Sequence, residues 1–258
     1  MFDDSHISTI YLNSRNILNY IPFKNNSTEE LKDIIEKTVK YYNNLTNKNN
    51  YTQENAHLIL RLPLNQSNSI PEERINLKFR AKLFMYKWDP SIVTEAVNFA
   101  LKELHVDNLD VLTIAFPEYC RHKTKPEDFK PIWCEAEKLC DSKNPKVISL
   151  GVSDLNKSQL ETLTSWARVK PSSNQINSIL SCIVPEDLTN YADENGVALL
   201  THNDKYKILS DTDFQDCIKP LIKDCSKWKP NFVLRYVVSI KCREVLKEKG
   251  YMIKAIRH

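Results

Sequence analysis

The side chains of this 258-residue chain best suited to metal binding or nucleophilic chemistry are six histidines and seven cysteines. The histidines are His6, His57, His105, His122, His202 and His258, and none forms the HExxH spacing that puts two imidazoles on one helix face. Cys120-Arg121-His122 with Cys134 and Cys140 comes nearest to a cluster, but its separations match no zinc pattern. Free, half-buried cysteines are the expectation there, and no metal is assigned. A serine nucleophile wants a tight glycine-lined turn. The three glycines, Gly151, Gly196 and Gly250, are too far apart in sequence to share one. That spacing excludes the GxSxG elbow, the P-loop and the GxGxxG phosphate cradle. Glu29-Glu30 and Glu72-Glu73 are solvated faces on this reading, and Tyr41-Tyr42 and Trp133 are packing residues. Residue types and spacings alone assemble no active site.

The elements that would position these groups are easier to find. Ser27 with Glu30 has the form of a capping box, followed by an apolar stripe of Leu31, Ile34, Ile35 and Val39 at helical spacing. Asp89 and Pro90 open a second helix, with Ile92, Val93, Ala96, Val97, Ala100 and Leu104 on one face. Further helices are expected near 126–140, 156–168 and 185–194. Candidate strands run over 57–62, 77–85, 109–116, 146–150, 173–177, 197–202, 233–240 and 251–256. Short apolar strands alternating with amphipathic helices give a parallel sheet with crossover helices. Eight such strands in a chain of this length fit an α/β (β/α)8 TIM barrel with irregular N- and C-terminal parts. Two places fit poorly: no helix separates the first two strands, and FVLRYVVSIKCREVLKEKG suits a strand plus helix, or mostly helix. Gly196 and Gly250 are placed at helix caps and Gly151 at a strand end. The whole of 1–258 is expected to be a single barrel domain. Its first 56 residues form a polar, Asn-rich segment with one helix at about 28–46, packed on or leading into the barrel.

Bulk composition narrows the partners. The chain is 41% hydrophobic and 27% charged, with 36 basic against 33 acidic residues and a net charge of +3. That balance is too mild to argue for nucleic acid or an anionic membrane. No apolar run approaches the ~20 residues that span a bilayer. The N-terminal MFDDSHISTI lacks the basic start and apolar core of a signal peptide. An odd number of cysteines without framework spacing fits a reducing, cytoplasmic setting.

Several stretches carry a resemblance. GVSDLNKSQLETL (151–163), followed by KPSSNQIN (170–177), resembles the GxSN…QL…NQxE signature of the aldo-keto reductases. LDVLTIAFP (109–117) is similar to that family's strand LDLYLIHWP, and FRAKLF (79–84) to its strand bearing the catalytic lysine. AKLF (81–84), VKPSSNQIN (169–177), LLTHND (199–204), LRY (234–236) and KGY (249–251) resemble one branch more closely, as do RNILNY (16–21) and EELKDIIEKT (29–38). That branch is the regulatory (modifier) subunits of glutamate–cysteine ligase.

The resemblance implies a reductase fold without reductase chemistry. Lys82 matches the lysine that tunes the family's proton-donating tyrosine, but Ala115 stands at the histidine position. The HIDTAxxYGNE segment bearing the tyrosine and aspartate has no counterpart among residues 40 to 76. Ser153, Asn174 and Gln175 match positions around the nicotinamide, whereas Asp154 replaces the asparagine that contacts its carboxamide. The basic IPKS…RxxxN stretch that holds the adenosine phosphate is missing. Lys82, Ser153, Asn174 and Gln175 are therefore expected to be remnants that serve as core polar residues, with no catalytic residue and no cofactor. The implied partner is the catalytic subunit of glutamate–cysteine ligase, in a cytoplasmic heterodimer that uses glutamate better and resists feedback by glutathione. Cys182 falls where the branch tends to carry cysteine and is the candidate for an intersubunit disulfide. The alternatives are an NADPH-dependent aldo-keto reductase with an eroded site, and a nucleotide-sensing pseudo-enzyme.

Overall fold

Between residues 77 and 202 the alternation of apolar strands and amphipathic helices forms a parallel array, as its periodicity predicts, whereas the strands before and after it pair mostly antiparallel. The computed structural model describes residues 6–22, 24–44, 52–54, 56–63, 73–117, 126–141, 143–178 and 184–258. The chain divides into two compact units, one continuous (79–206) and one built from residues 1–78 and 207–258.

In the continuous unit, β4 (Leu77–Met85), β5 (Val111–Ala115), β6 (Leu150–Ser153), β7 (Ser173–Asn177) and β8 (Ala198–His202) lie side by side in that order, all parallel. Parallel neighbours require long crossovers. These are supplied by α2 (Ser91–Leu104), α3 (Pro126–Lys138), α4 (Lys157–Trp166) and α5 (Glu186–Glu194). Helix α2 starts where the Asp89 carboxylate accepts the Ser91 amide at 2.9 Å, and it buries the predicted apolar face from Ile92 to Ala100. It ends on His105, which adopts a left-handed φ of 55°. Helix α4 starts with a reciprocal capping box between Asn156 and Gln159. Gly196 follows α5 with φ of +66°, the left-handed conformation expected of it.

Gly151 lies inside β6 rather than at a strand end. A Cβ there would stand 2.6 Å from the Ser173 hydroxyl of the neighbouring strand, so only glycine fits. The sixth strand begins at Leu150, later than the expected 146–150. The Lys146 and Val147 amides are instead turned onto the Leu139 carbonyl at the end of the preceding helical segment.

The second unit is a mixed sheet in the order β2-β3-β1-β10-β9: β1 (Thr9–Asn13), β2 (Thr52–Glu54), β3 (His57–Arg61), β9 (Trp228–Ile240) and β10 (Val245–Arg257). Only β1 and β3 pair in parallel. Helix α1 (Ser27–Asn43) buries Leu31, Ile34, Ile35 and Val39 and packs with β3 and α6 (Asp211–Ile218). Its cap is Asn26, whose side chain accepts the Thr28 and Glu29 amides, so Ser27 is already helical. Glu30 does not turn back to complete a box. It is buried, accepting from the Tyr251 hydroxyl at 2.7 Å and pairing with Lys249 at 2.5 Å.

The two C-terminal strands correct the helical alternative. FVLRYVVSIKCREVLKEKG contains no helix: β9 and β10 are thirteen residues each and pair antiparallel along their length. Lys, Glu and Leu are good helix formers, but the β-branched and aromatic run of β9 offers a pairing edge, and tertiary pairing overrides propensity. Gly250 is therefore a strand residue and caps no helix. A Cβ on it would collide with the Arg15 carbonyl and the Tyr236 ring. Strands β1 and β2 had no counterpart among the eight candidates.

Candidate functional site

Side chains of a parallel α/β array meet at the carboxyl ends of its strands, the usual place for ligands and chemistry in such folds. Lys82 projects from β4 and is almost fully buried. Its ammonium donates to Asp204 Oδ2 at 2.9 Å, and the two side chains are 4% and 2% exposed. Asp204 lies two residues beyond the end of β8, and its backbone amide donates to His202 Nδ1 at 3.1 Å. An accepting Nδ1 puts the imidazole proton on Nε2, an assignment made from the hydrogen-bond network. Nε2 faces both carboxylate oxygens of Asp154 at 3.1 Å. The Ser153 hydroxyl donates to Asp154 Oδ2 at 2.7 Å, and the Asn177 amide donates to Asp154 Oδ1 at 3.0 Å. The Asn177 side chain reaches back to the Asp204 carbonyl at 2.7 Å and closes the circuit.

Asp154 holds a left-handed φ of 62°, which a non-glycine residue adopts at a cost of about 1–2 kcal/mol. Its own amide bonds to the Gln175 carbonyl at 2.7 Å, so the strained turn is fixed from both backbone and side chain. A buried polar group left without partners would cost more than such strain, and here the groups satisfy one another.

Ser153, His202 and Asp204 come within the distances of a nucleophilic triad, with Ser153 Oγ 3.2 Å from His202 Nε2 and His202 Nδ1 3.3 Å from Asp204 Oδ2. The hydrogen-bond directions argue against that chemistry. A general base needs a free lone pair towards the hydroxyl, whereas here Nε2 carries the proton and the serine donates to Asp154. Ser153 is also buried. The set forms a closed hydrogen-bonded network around one ion pair.

Lys82 and Ser153 belong to this network, while Asn174 and Gln175 sit beside it and bond elsewhere. The Asn174 amide, fully buried, accepts from the Leu155 amide at 3.3 Å and donates to the Leu155 carbonyl at 2.8 Å. The Gln175 side chain donates to the Thr113 hydroxyl at 3.2 Å. A nicotinamide carboxamide would need these amides and the group at position 154, and they are engaged within the protein. Ala115, buried at the end of β5, presents a methyl group. The residues present do not fit the dinucleotide. Cys182, Cys120 and His122 lie outside the described residues. Cys134 and Cys140 are free thiols, and among the described residues no three potential ligands gather for a metal. Burial, followed by the Asp141 and Glu137 charges, pushes the Cys140 thiol up to about 11.

Sequence reasoning missed His202, Asp204, Asp154 and Asn177 as members of one network. The available signal was positional: each stands at or just past the carboxyl end of a strand in the parallel array.

The pattern of the Aldo/keto reductase family matches residues 19–203. The human glutamate–cysteine ligase regulatory subunit is 36% identical over 265 residues, covering 96% of this chain and 93% of the human protein. Aldo-keto reductase family 4 member C11 of Arabidopsis thaliana is 32% identical over 112 residues, 40% of this chain and 35% of its own. Among solved structures, the aldose reductase of Schistosoma japonicum aligns over 67% of this chain and 52% of its own at 22% identity, with a TM-score of 0.38. The chain belongs to the aldo/keto reductase family and, within it, to the group of glutamate–cysteine ligase regulatory subunits. Its fold is the α/β barrel type of that family: β4 to β8 with α2 to α5 are the regular part, and the N- and C-terminal parts are irregular.

Proposed function

We propose that this chain is a non-catalytic regulatory subunit that binds the catalytic subunit of glutamate–cysteine ligase, improves its use of glutamate and relieves its inhibition by glutathione. The observation that supports the non-catalytic half is that Asp154, Asn174 and Gln175, which a nicotinamide would have to meet, are hydrogen-bonded within the protein. Ala115, at the end of β5, offers only a methyl group where general-acid chemistry would want a proton-sharing side chain. Kinship over nearly the whole chain with proteins named regulatory subunits supports the partner. Regulation of this kind is a coupling free energy: the subunit binds the glutamate-competent state of its partner more tightly than the glutathione-inhibited one. A tenfold shift in apparent glutamate affinity needs only about 1.4 kcal/mol of differential binding. The setting is the cytoplasm, and no cofactor takes part. Cys182 is the proposed intersubunit cysteine, so Cys182→Ser should remove the heterodimer band from a non-reducing gel.

The test is a glutamate titration of the catalytic subunit with and without an equimolar amount of this chain. A leftward shift, a weaker effect of added glutathione and no aldehyde turnover by this chain with NADPH are the expected results. An unshifted curve would sink the regulatory reading, and aldehyde turnover would sink the non-catalytic one.

A further inference from the structure

Strand β8 ends the parallel array, and among the described strands it pairs only with β7. Its ladder shows which backbone groups are already used. The Ala198 amide donates to the Ser172 carbonyl at 3.0 Å, and the His202 carbonyl accepts from the Ser178 amide at 2.8 Å. Backbone groups alternate between the two sides of a strand, so Ala198, Leu200 and His202 bond towards β7 while Leu199 and Thr201 face away from it. Among the described residues nothing bonds to the outward N–H and C=O groups of Leu199 and Thr201.

The strand is also uncovered on its faces. Strands of a parallel α/β array are ordinarily buried on both, as β6 is here. In β8, Ala198, Leu200 and Thr201 are exposed, Leu200 at 48%. Natural edges are blunted by charge, proline, a bulge or extreme shortness. The edge strand β2 of the other unit is only three residues long. β8 has five residues, with no proline, lysine, arginine or carboxylate and with an unbroken register. Charges stand at its two ends instead. Asp193 and Glu194 precede it and Lys205 follows it, all exposed and without an ion-pair partner among the described residues.

We infer that β8 is the centre of a two-fold interface with a second copy of this chain, in which the two β8 strands pair antiparallel about Leu200. Backbone and charge both select that occupant. In such a pair Leu199 of one copy lies opposite Thr201 of the other, the two exchange N–H···O bonds, and the two-fold repeats the exchange. Every outward backbone group of the strand is then used. The antiparallel alignment also lays the acidic end of one strand beside the basic end of the other, and the two-fold does so at both ends. A parallel alignment would set like charge beside like. The uncharged middle lets the two Leu200 side chains meet without burying an ion. This inference does not depend on the regulatory reading above.

The experiment measures the mass of the full chain by light scattering across a dilution series. The wild type should be a dimer that dissociates on dilution, and more readily at high salt. Thr201→Pro removes an outward N–H and leaves the β7 ladder intact, since an edge strand accepts proline where its N–H faces outwards. Leu200→Lys sets like charges at the two-fold on a side chain already exposed. Each should weaken dimerisation at least tenfold, with circular dichroism and melting temperature as in the wild type. Lys205→Glu should also weaken it, and adding Asp193→Lys and Glu194→Lys should restore it. Ile148→Glu, at an exposed apolar position elsewhere in the same unit, should change nothing. Cysteine substitution checks the register. Leu200 would face its own copy in a non-hydrogen-bonded pair, with Cα atoms about 4.5 Å apart and within disulfide reach. Leu200→Cys should therefore give more disulfide-linked dimer on mild oxidation than the wild type does, and Thr201→Cys should not. A wild-type chain that stays monomeric at every concentration would overturn the inference, as would a dimer indifferent to both Thr201→Pro and Leu200→Lys. A monomeric chain whose Thr201→Pro variant loses affinity for the ligase catalytic subunit would assign the edge to that partner, and would overturn the inference too.

Discussion

Lys82 shows what a buried charge demands of its surroundings. A buried ammonium with a buried carboxylate is weak evidence of net stabilisation, but removing one partner leaves the other charge stranded. Lys82→Met should lower the unfolding free energy in urea by about 3–5 kcal/mol, and adding Asp204→Leu should restore most of it. Neither change should alter the glutamate response of a heterodimer that still forms. Lys82 and Ser153 were legible from the sequence because their motifs mark them. Asp204 was not, since its pairing with Lys82 spans 122 residues and depends on how two strands are registered. Glu248 gives a second residue-scale test. Burial raises its carboxyl above the usual carboxylate range. The neutral form is thus favoured by folding: the stability tied to this group is full at pH below the ordinary value and is lost as pH rises through the raised one. Glu248→Gln should remove that slope and stabilise the chain at pH 7, read as a melting-temperature difference that is larger at pH 7 than at pH 4. Thiol reactivity follows the same logic. Burial, with Glu36 next, pushes Cys217 up to about 12, and Cys140 stands near 11, whereas Cys242 is exposed. Among the five described cysteines, Cys242 should be alkylated at pH 7.5 well before Cys140 and Cys217, as peptide mapping after timed iodoacetamide exposure would show.

At the scale of elements, the parallel array was readable because each strand and helix declares itself locally, by a period of two or of 3.6 and by a cap. β7 falls on the expected residues, 173–177, and β4 on 77–85. The ribbon was not readable, because KCREVLKEKG has helix-forming composition and only a partner strand makes it extended. Its glycine carries the clearest test. Gly250→Ala places a methyl against the Arg15 carbonyl and the Tyr236 ring, and should cost about 1–3 kcal/mol from overpacking. Asn156→Ala removes the α4 capping box and should cost about 1 kcal/mol, measured in the same urea series.

For the whole molecule, the division into a continuous unit and one made from two distant stretches has a consequence for how the chain is made. Residues 79–206 leave the ribosome as an uninterrupted block and can fold as soon as they emerge. Strand β1 emerges far earlier but lies between β3 and β10, so one of its edges has no partner until Thr9 can meet Ile256. At ordinary elongation rates that interval, about 240 residues of synthesis, lasts roughly 10–50 s. Throughout it the apolar edge of TIYLN is open to any other strand in the cell. A holding chaperone, or slow aggregation in its absence, is therefore a natural companion of this topology, and pulsed hydrogen exchange during refolding should find the amides of 79–206 protected before those of β1 and β10.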